Sequence, residues 1–290
     1  MELLSTPEQL MAYCRNATRP LGIVPTMGSI HLGHAELVKQ AQRECKTVIV
    51  TLFINPLQFG EEKDFDSYPR SINEDSEILS SYGVDALYLP ETSLIYPEGF
   101  STTINVYGPA LPMEGLNRPG HFDGVATIVA KLLINSSPDN AYFGRKDGQQ
   151  LAVIKRMVKD LEIPTNIHEI DTVREGDGLA YSSRNNLLNS EQRLVAPILY
   201  ESLSAGRRAF EGGERNPLVI TGVTFEILEA AKRKGLLSTI DYVEMVDLMS
   251  MMPWSSGDAM LAGAIRLGDI RIIDNVILVE NNIDGSSSEE

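Results

Sequence analysis

The sequence predicts an α/β protein, a doubly wound parallel sheet followed by a smaller α+β domain. Three observations carry that prediction. Strand-like and helix-like segments alternate through the first 175 residues, the pattern of helices returning between parallel strands. The run from Thr47 to Asn55, TVIVTLFIN, is β-branched and apolar on both faces, as a central strand covered above and below must be. After about Gly176 the texture changes to helix starts followed by three separate strand-like runs. A chain of 290 residues has room for two such cores.

Taken in order, Leu21 to Pro25 is a short apolar run, and a helical pattern follows from about Gly33 to Glu44, with Leu37, Val38 and Ala41 on one face. After the central strand, Ser71 to Tyr82 reads as helix and Val84 to Leu89 as strand. Gly124 to Asn135 reads as an amphipathic helix and Asn140 to Phe143 as a strand. Gly148 to Leu161 is a helix with Leu151, Ile154 and Val158 in register, and Ile163 to Ile170 is a further strand. In the second part, Asn189 with Gln192 three residues on has the form of a capping box. Asn216 and Pro217 open another helix, which Gly235 ends. Ile240 to Val246, Met260 to Arg266 and Arg271 to Val279 read as strands. The domains are therefore expected at 1–176 and 177–283, with 284–290 (DGSSSEE) as a disordered tail.

A net charge of −15, shared almost evenly between the halves, makes the chain a poor partner for a nucleic-acid backbone. No stretch of 18 apolar residues occurs, so no membrane partner is expected. Two cysteines, Cys14 and Cys45, without a secretory leader point to reduced thiols and a cytoplasmic location.

In sheets of this kind ligands bind at the carboxyl ends of the strands, so functional residues should follow strands. His31 and His34, in HLGH, follow the first such strand, and at spacing i, i+3 both imidazoles project from one helix turn. That turn also presents unpaired N–H groups and a partial positive charge to an anion. Gly28 and Gly33 read as places where a nucleotide lies against bare backbone. Zinc ligation lacks a third ligand at suitable spacing. Neither G-x-x-x-x-G-K-[ST] nor G-x-G-x-x-G occurs.

The HxGH signature behind the first strand of a Rossmann-like sheet resembles the nucleotidylyltransferases and class I aminoacyl-tRNA synthetases, which handle the α-phosphate of ATP. Five further segments narrow the match. In order and spacing, VPTMGSIHLGHAELV, TLFINPLQFGEEKDFDSYPR, NRPGHFDGVATIVAKLL, PDNAYFGRKDGQQLAVIKRMVKDL and REGDGLAYSSRNNLL resemble the pantothenate synthetases over roughly residues 20–195, and more loosely to about 280.

That resemblance implies a two-step ligation. Pantoate and ATP give pantoyl adenylate and pyrophosphate, and attack by β-alanine then gives pantothenate and AMP. It implies an ATP site through Met27, Gly28, Ser29, Ile30, His31, Leu32, Gly33 and His34, then Gly144, Arg145, Lys146 and Asp147, then Val173, Tyr181, Ser182, Ser183 and Arg184. Of these, His34, His31, Lys146, Arg184, Ser182 and Ser183 are the candidates for chemistry. Lys146 and Arg184 supply the cations, the two serines hydroxyl donors, and His34 an imidazolium toward the bridging phosphate oxygen. For pantoate and β-alanine the candidates are Gln58, Gln150, Asn55, Pro25 and Met27 with Phe59, and Arg118 and His121 as lid or phosphate-side residues. Mg²⁺ would accompany the phosphates, with Asp75 as its first candidate ligand. Lids are expected at 59–70 and 91–99, and over the site from the C-terminal domain. A homodimer is implied as well.

The chain departs from the family pattern at Leu32, Arg145, Gly148 and Tyr181. Of these, Arg145 could add positive charge near the triphosphate. His168 matches nothing in the pattern and reads as structural. Three other readings explain fewer of the segments: a nucleotidylyltransferase with a dinucleotide or CDP-alcohol product, a nucleotide sensor without turnover, and a tRNA-charging enzyme, for which the acidic chain lacks an anticodon domain.

Overall fold

The computed structural model describes residues 1–59, 65, 68 and 71–280, so the proposed tail at 284–290 and most of the proposed lid at 59–70 lie outside the described residues. The chain forms two compact units that divide after Pro197. The stretch 177–197, which the sequence reading allots to the second domain, thus belongs to the first unit. Pro197 accounts for the break. It lacks an N–H and so cannot extend the ladder of the helix capped at Asn189, which stops at Val195, and a new helix starts at Ile198.

The first unit is a six-stranded parallel sheet: β1 (Glu2–Leu4), β2 (Leu21–Thr26), β3 (Thr47–Leu52), β4 (Ala86–Tyr88), β5 (Asn140–Gly144) and β6 (Asn166–Ile170), in the order β1-β4-β3-β2-β5-β6. All six positions of β3 are buried, which its two apolar faces require. Alternate residues of neighbouring strands feed two cores. Ile23, Ile49 and Tyr88 face the helices α1 (Pro7–Asn16), α4 (His121–Ser136) and α5 (Gly148–Asp160). Val24, Val48, Val50 and Leu87 face α2 (Leu32–Glu44) and α3 (Ile72–Ser81). Each such aliphatic side chain contributes about 1.5–3 kcal/mol by leaving water.

β1 and α1 escape a reading by periodicity. The strand has three residues and pairs only with β4, although the Thr6–Gln9 capping box that opens α1 is written in the sequence. The helix expected to be amphipathic, α4, is instead buried on nearly every side. It can be, because Thr127 and Ser136 return their hydroxyls to the carbonyls of Asp123 and Leu132. It also packs so closely on the single turn Pro56–Gln58 that a Cβ on Gly124 would stand 2.4 Å from the Leu57 carbonyl oxygen.

The connections β2→β3→β4 run to one side of β2, and those through β5 and β6 to the other. The carboxyl ends of β2 and β5 thus flank the point where the winding direction reverses, the usual place for a ligand crevice in such a sheet. The second unit is an antiparallel sheet β7 (Thr239–Asp247), β8 (Ala259–Leu267) and β9 (Ile270–Leu278) with α6 (Ile198–Glu211) and α7 (Pro217–Arg233). Gly206 lets these helices and β8 approach, since a Cβ there would meet Leu261 at 2.5 Å and Thr224 at 2.6 Å.

Candidate active site

Beyond β2 the chain turns sharply. Thr26 donates its hydroxyl to the Thr51 carbonyl and accepts the Gly28 N–H, and Gly28 (φ 88°) and Ser29 (φ 53°) are both left-handed. Gly28 does not face an open groove. A Cβ there would meet Asp75 Oδ2 at 3.0 Å and Leu52 Cδ2 at 3.2 Å, so the glycine makes room for the protein's own side chains. The Ser29 and Ile30 amides donate to Asp75.

His31 then caps α2, its Nδ1 accepting the Gly33 N–H at 3.1 Å. With Nδ1 an acceptor, the neutral ring carries its proton on Nε2 and offers a donor there. Gly33 is required by this cap rather than by a nucleotide, because a Cβ would come within 2.9 Å of the His31 ring. The His31 and His34 rings stack at 4.0 Å, and the Tyr181 ring lies nearly parallel at 6.2 Å from His31. Burial, with Lys146 next, holds His31 down to about 4, and burial, with His31 next, holds His34 to about 3. The imidazolium expected at His34 is therefore absent from the free protein at neutral pH. The reason is that two stacked, desolvated rings beside a lysine cannot share a further positive charge.

At the end of β5, Gly144 leads into a turn that carries Lys146 and Asp147, paired at 3.1 Å. Burial raises the Asp147 carboxyl, but Lys146, aided by Arg184, outweighs it and the net shift is downward. The charges of Lys146 and Asp147 also act on both histidines, which with Arg184 brings three separated stretches of sequence to one place. Arg145 points elsewhere. Its guanidinium pairs with Glu169 at 3.3 Å and Asp171 at 2.6 Å, so the added positive charge expected beside the triphosphate is neutralised. The segment from Val173 to Tyr181 folds back on itself, Tyr181 N–H donating to the Val173 carbonyl, and Arg193 braces it through Glu175 and Asp177. Ser182 caps the turn Ser183–Leu187 by accepting the Arg184 N–H, and Ser183 shares a hydrogen bond of 3.2 Å with the buried Tyr68 hydroxyl.

A second polar cluster, built on Asn55 and Gln58, adjoins Met27. Asn55 is 1% exposed and its amide is saturated: Oδ1 accepts from Leu57 N–H and the Tyr96 hydroxyl, and Nδ2 donates to the Gly124 carbonyl and Gln58 Oε1. Through these bonds it orients Gln58. Since Leu57 N–H can only donate and Gly124 C=O can only accept, the orientation of Asn55 is fixed. Gln58 is left presenting N–H toward Met27 Sδ at 2.8 Å. His121 Nδ1 and Arg118 hold the Gln58 carbonyl from behind, at 2.7 and 3.3 Å. These two thus anchor the backbone of the turn that carries Gln58. The proposed lid at 91–99 is likewise tied down, with Ile95 buried and Tyr96 on Asn55. Gln150 is partly exposed at the start of α5. Its neighbour Gln149 is buried, holding the Pro109 and Pro112 carbonyls and the Glu114 N–H.

A family model described as pantoate-beta-alanine ligase matches residues 2–277. The chain belongs to this family. The pantothenate synthetase of Cereibacter sphaeroides is 44% identical over 262 residues, 90% of this chain and 92% of that one. A crystal structure of pantothenate synthetase from Thermus thermophilus superposes with a TM-score of 0.88 at 42% identity, covering 95% of this chain and 99% of that one. The ligase from Francisella tularensis, crystallised with beta-gamma ATP and beta-alanine, gives a TM-score of 0.78 at 33% identity over 96% and 97%. The chain is a pantothenate-forming ligase.

In this pantoate–β-alanine ligase, sequence reasoning missed Tyr68, Tyr96, Gln149 and Arg193. Each acts on a partner far along the chain, and only the polar cluster Glu175–Asp177–Arg193 had a local charge pattern that pointed to it. His168 is structural as expected, paired with Glu44 and stacked on Tyr142. Tyr142 lies beside Cys45, one of two free, buried thiols.

The depressed histidines make a prediction about acid stability. His121 is also held down to about 4, by burial and then by Arg118. Below the unfolded value of about 6.5 the unfolded chain takes up protons that the folded chain refuses, so stability is full above that pH and is lost as pH falls from about 6.5 to about 4. Thermal melts across this interval should show a falling Tm, with a shallower fall in His121→Gln.

Proposed function

We propose that the ligation runs through pantoyl adenylate, with ATP held where the carboxyl ends of β2 and β5 meet. What supports this reading is the convergence of His31, His34, Lys146 and the Arg184 charge at the winding reversal, together with Gln58, which presents an uncharged N–H donor toward Met27. Pantoate places an acceptor oxygen on Gln58, with Gln150 on the opposite side and Pro25, Met27 and Phe59 against its apolar part. Its carboxylate attacks the α-phosphorus. Lys146, Arg184, the His31 Nε2–H and the Ser182 and Ser183 hydroxyls take up the charge that grows on the departing pyrophosphate. His34 serves in the same cradle. A bound polyanion raises the pKa of both rings, because an opposite charge favours the protonated form.

In the second step the neutral amine of β-alanine attacks the acyl carbonyl and AMP departs, and the enzyme's task is to position the amine and exclude water. Mg²⁺ accompanies the triphosphate in this reading, but the residues here do not fit a resident metal site. Asp75 is engaged by two amides, and no group of three or more potential ligands occurs among the described residues. No step above is therefore routed through a metal. The family resemblance also supports a cytoplasmic homodimer, which light scattering of the purified chain checks for assembly. No described helix is long and apolar enough to cross a membrane.

The deciding assay follows pyrophosphate and AMP with each substrate omitted in turn. Pyrophosphate should require ATP and pantoate, and AMP release should require β-alanine as well. AMP formed without pantoate would overturn the substrate assignment.

A further inference from the structure

We infer that Asp75 is the positioning residue for the loop that delivers the paired histidines, and that it is not a metal ligand. The inference rests on the function proposed above. Asp75 stands in the first turn of α3, 2% exposed. Its two carboxylate oxygens are shared out, Oδ2 accepting Ser29 N–H at 2.8 Å and Oδ1 accepting Ile30 N–H at 2.7 Å. The loop is shaped around it. Gly28 and Ser29 are successive left-handed residues, and the sharp turn they make brings the Ser29 and Ile30 N–H groups onto one anion. A side chain on Gly28 would intrude on Asp75 Oδ2.

This anion receptor is thus filled from within by the protein's own carboxylate. Two consequences follow for the chemistry. The loop immediately before His31 is held at two points by a different helix, which fixes where the capping imidazole and the start of α2 stand. The carboxylate is 2% exposed and both of its oxygens are already engaged, which leaves it a poor ligand for a hydrated cation. The same helix begins shortly after Tyr68, whose hydroxyl meets Ser183, so one short stretch of chain touches both halves of the proposed phosphate cradle.

Asp75→Asn tests this while keeping the side-chain shape, because one of the two amides must then face an NH₂ group. Hydrogen exchange at the Ser29 and Ile30 amides, read by NMR, should quicken by at least ~10-fold. The kcat for pyrophosphate release should fall by roughly 10- to 100-fold, the scale of a displaced catalytic group, with KM for pantoate changed by less than about twofold. The Mg²⁺ concentration for half-maximal rate should stay where it is in the wild type. Unchanged exchange at both amides, or a Mg²⁺ midpoint moved by ~10-fold, would overturn the inference. If Asp75→Asn unfolds, exchange in the wild-type protein decides, since rapid exchange of Ser29 and Ile30 there is equally fatal. The exchange measurement needs no turnover, so its failure is distinguishable from failure of the proposed reaction.

Discussion

Replacing His34 with alanine is expected to slow pyrophosphate release by more than ~100-fold while leaving the melting temperature close to that of the wild type. The kinetic loss is the usual scale for removing one well-aimed donor from a site where charge develops. The fold should tolerate the change, because His34 Nδ1 is buried with no hydrogen-bond partner, so its removal strands no protein group. His31→Ala gives a useful contrast. It should slow the reaction comparably but also cost about 1 kcal/mol of stability, since it deletes the cap on the Gly33 N–H. Single-turnover pyrophosphate release and thermal melts of the two variants separate these effects. A near-normal rate in His34→Ala would remove that residue from the proposed cradle.

The second large effect is expected at a residue that touches no substrate. In Gly124→Ala the new methyl would lie 2.4 to 2.6 Å from the backbone of Leu57 and Gln58, atoms that cannot swing aside as a flexible side chain could. Overpacking of this kind costs typically about 1–3 kcal/mol, and the rigid backbone contact places this variant at the upper end. Such a loss corresponds to roughly 6–12 °C in Tm for a unit of this size. The forced shift falls on the turn that presents Gln58, so KM for pantoate should rise by at least ~10-fold while KM for ATP stays near normal. A Gly124→Ala enzyme with unchanged melting and unchanged KM for pantoate would show that α4 does not set the Gln58 turn.

Much of this architecture is readable from the chain alone. The two-faced apolar run of β3, the capping box at Asn189 and the Asn216–Pro217 helix start all appear as expected, because each depends on residues within a few positions of one another. The elements that escape are those with too few residues to show a period, such as β1, or those whose surroundings override it, such as the buried α4. At the site, the sequence names the residues but misjudges the jobs of several. Gly28 and Gly33 face Asp75 and His31, Asn55 braces Gln58, Arg145 is neutralised by Glu169 and Asp171, and the histidines are uncharged.

The sequence by itself determined the doubly wound sheet, the family, and which side chains gather at the ends of β2 and β5. Only the tertiary structure decided which atoms of those side chains remain available to a ligand and in what protonation state. The division has a physical cause. Backbone periodicity and capping are local, whereas Asp75 finds Ile30 across 45 positions and Asn55 finds Gly124 across 69, and the desolvation that discharges the histidines exists only once the chain has packed.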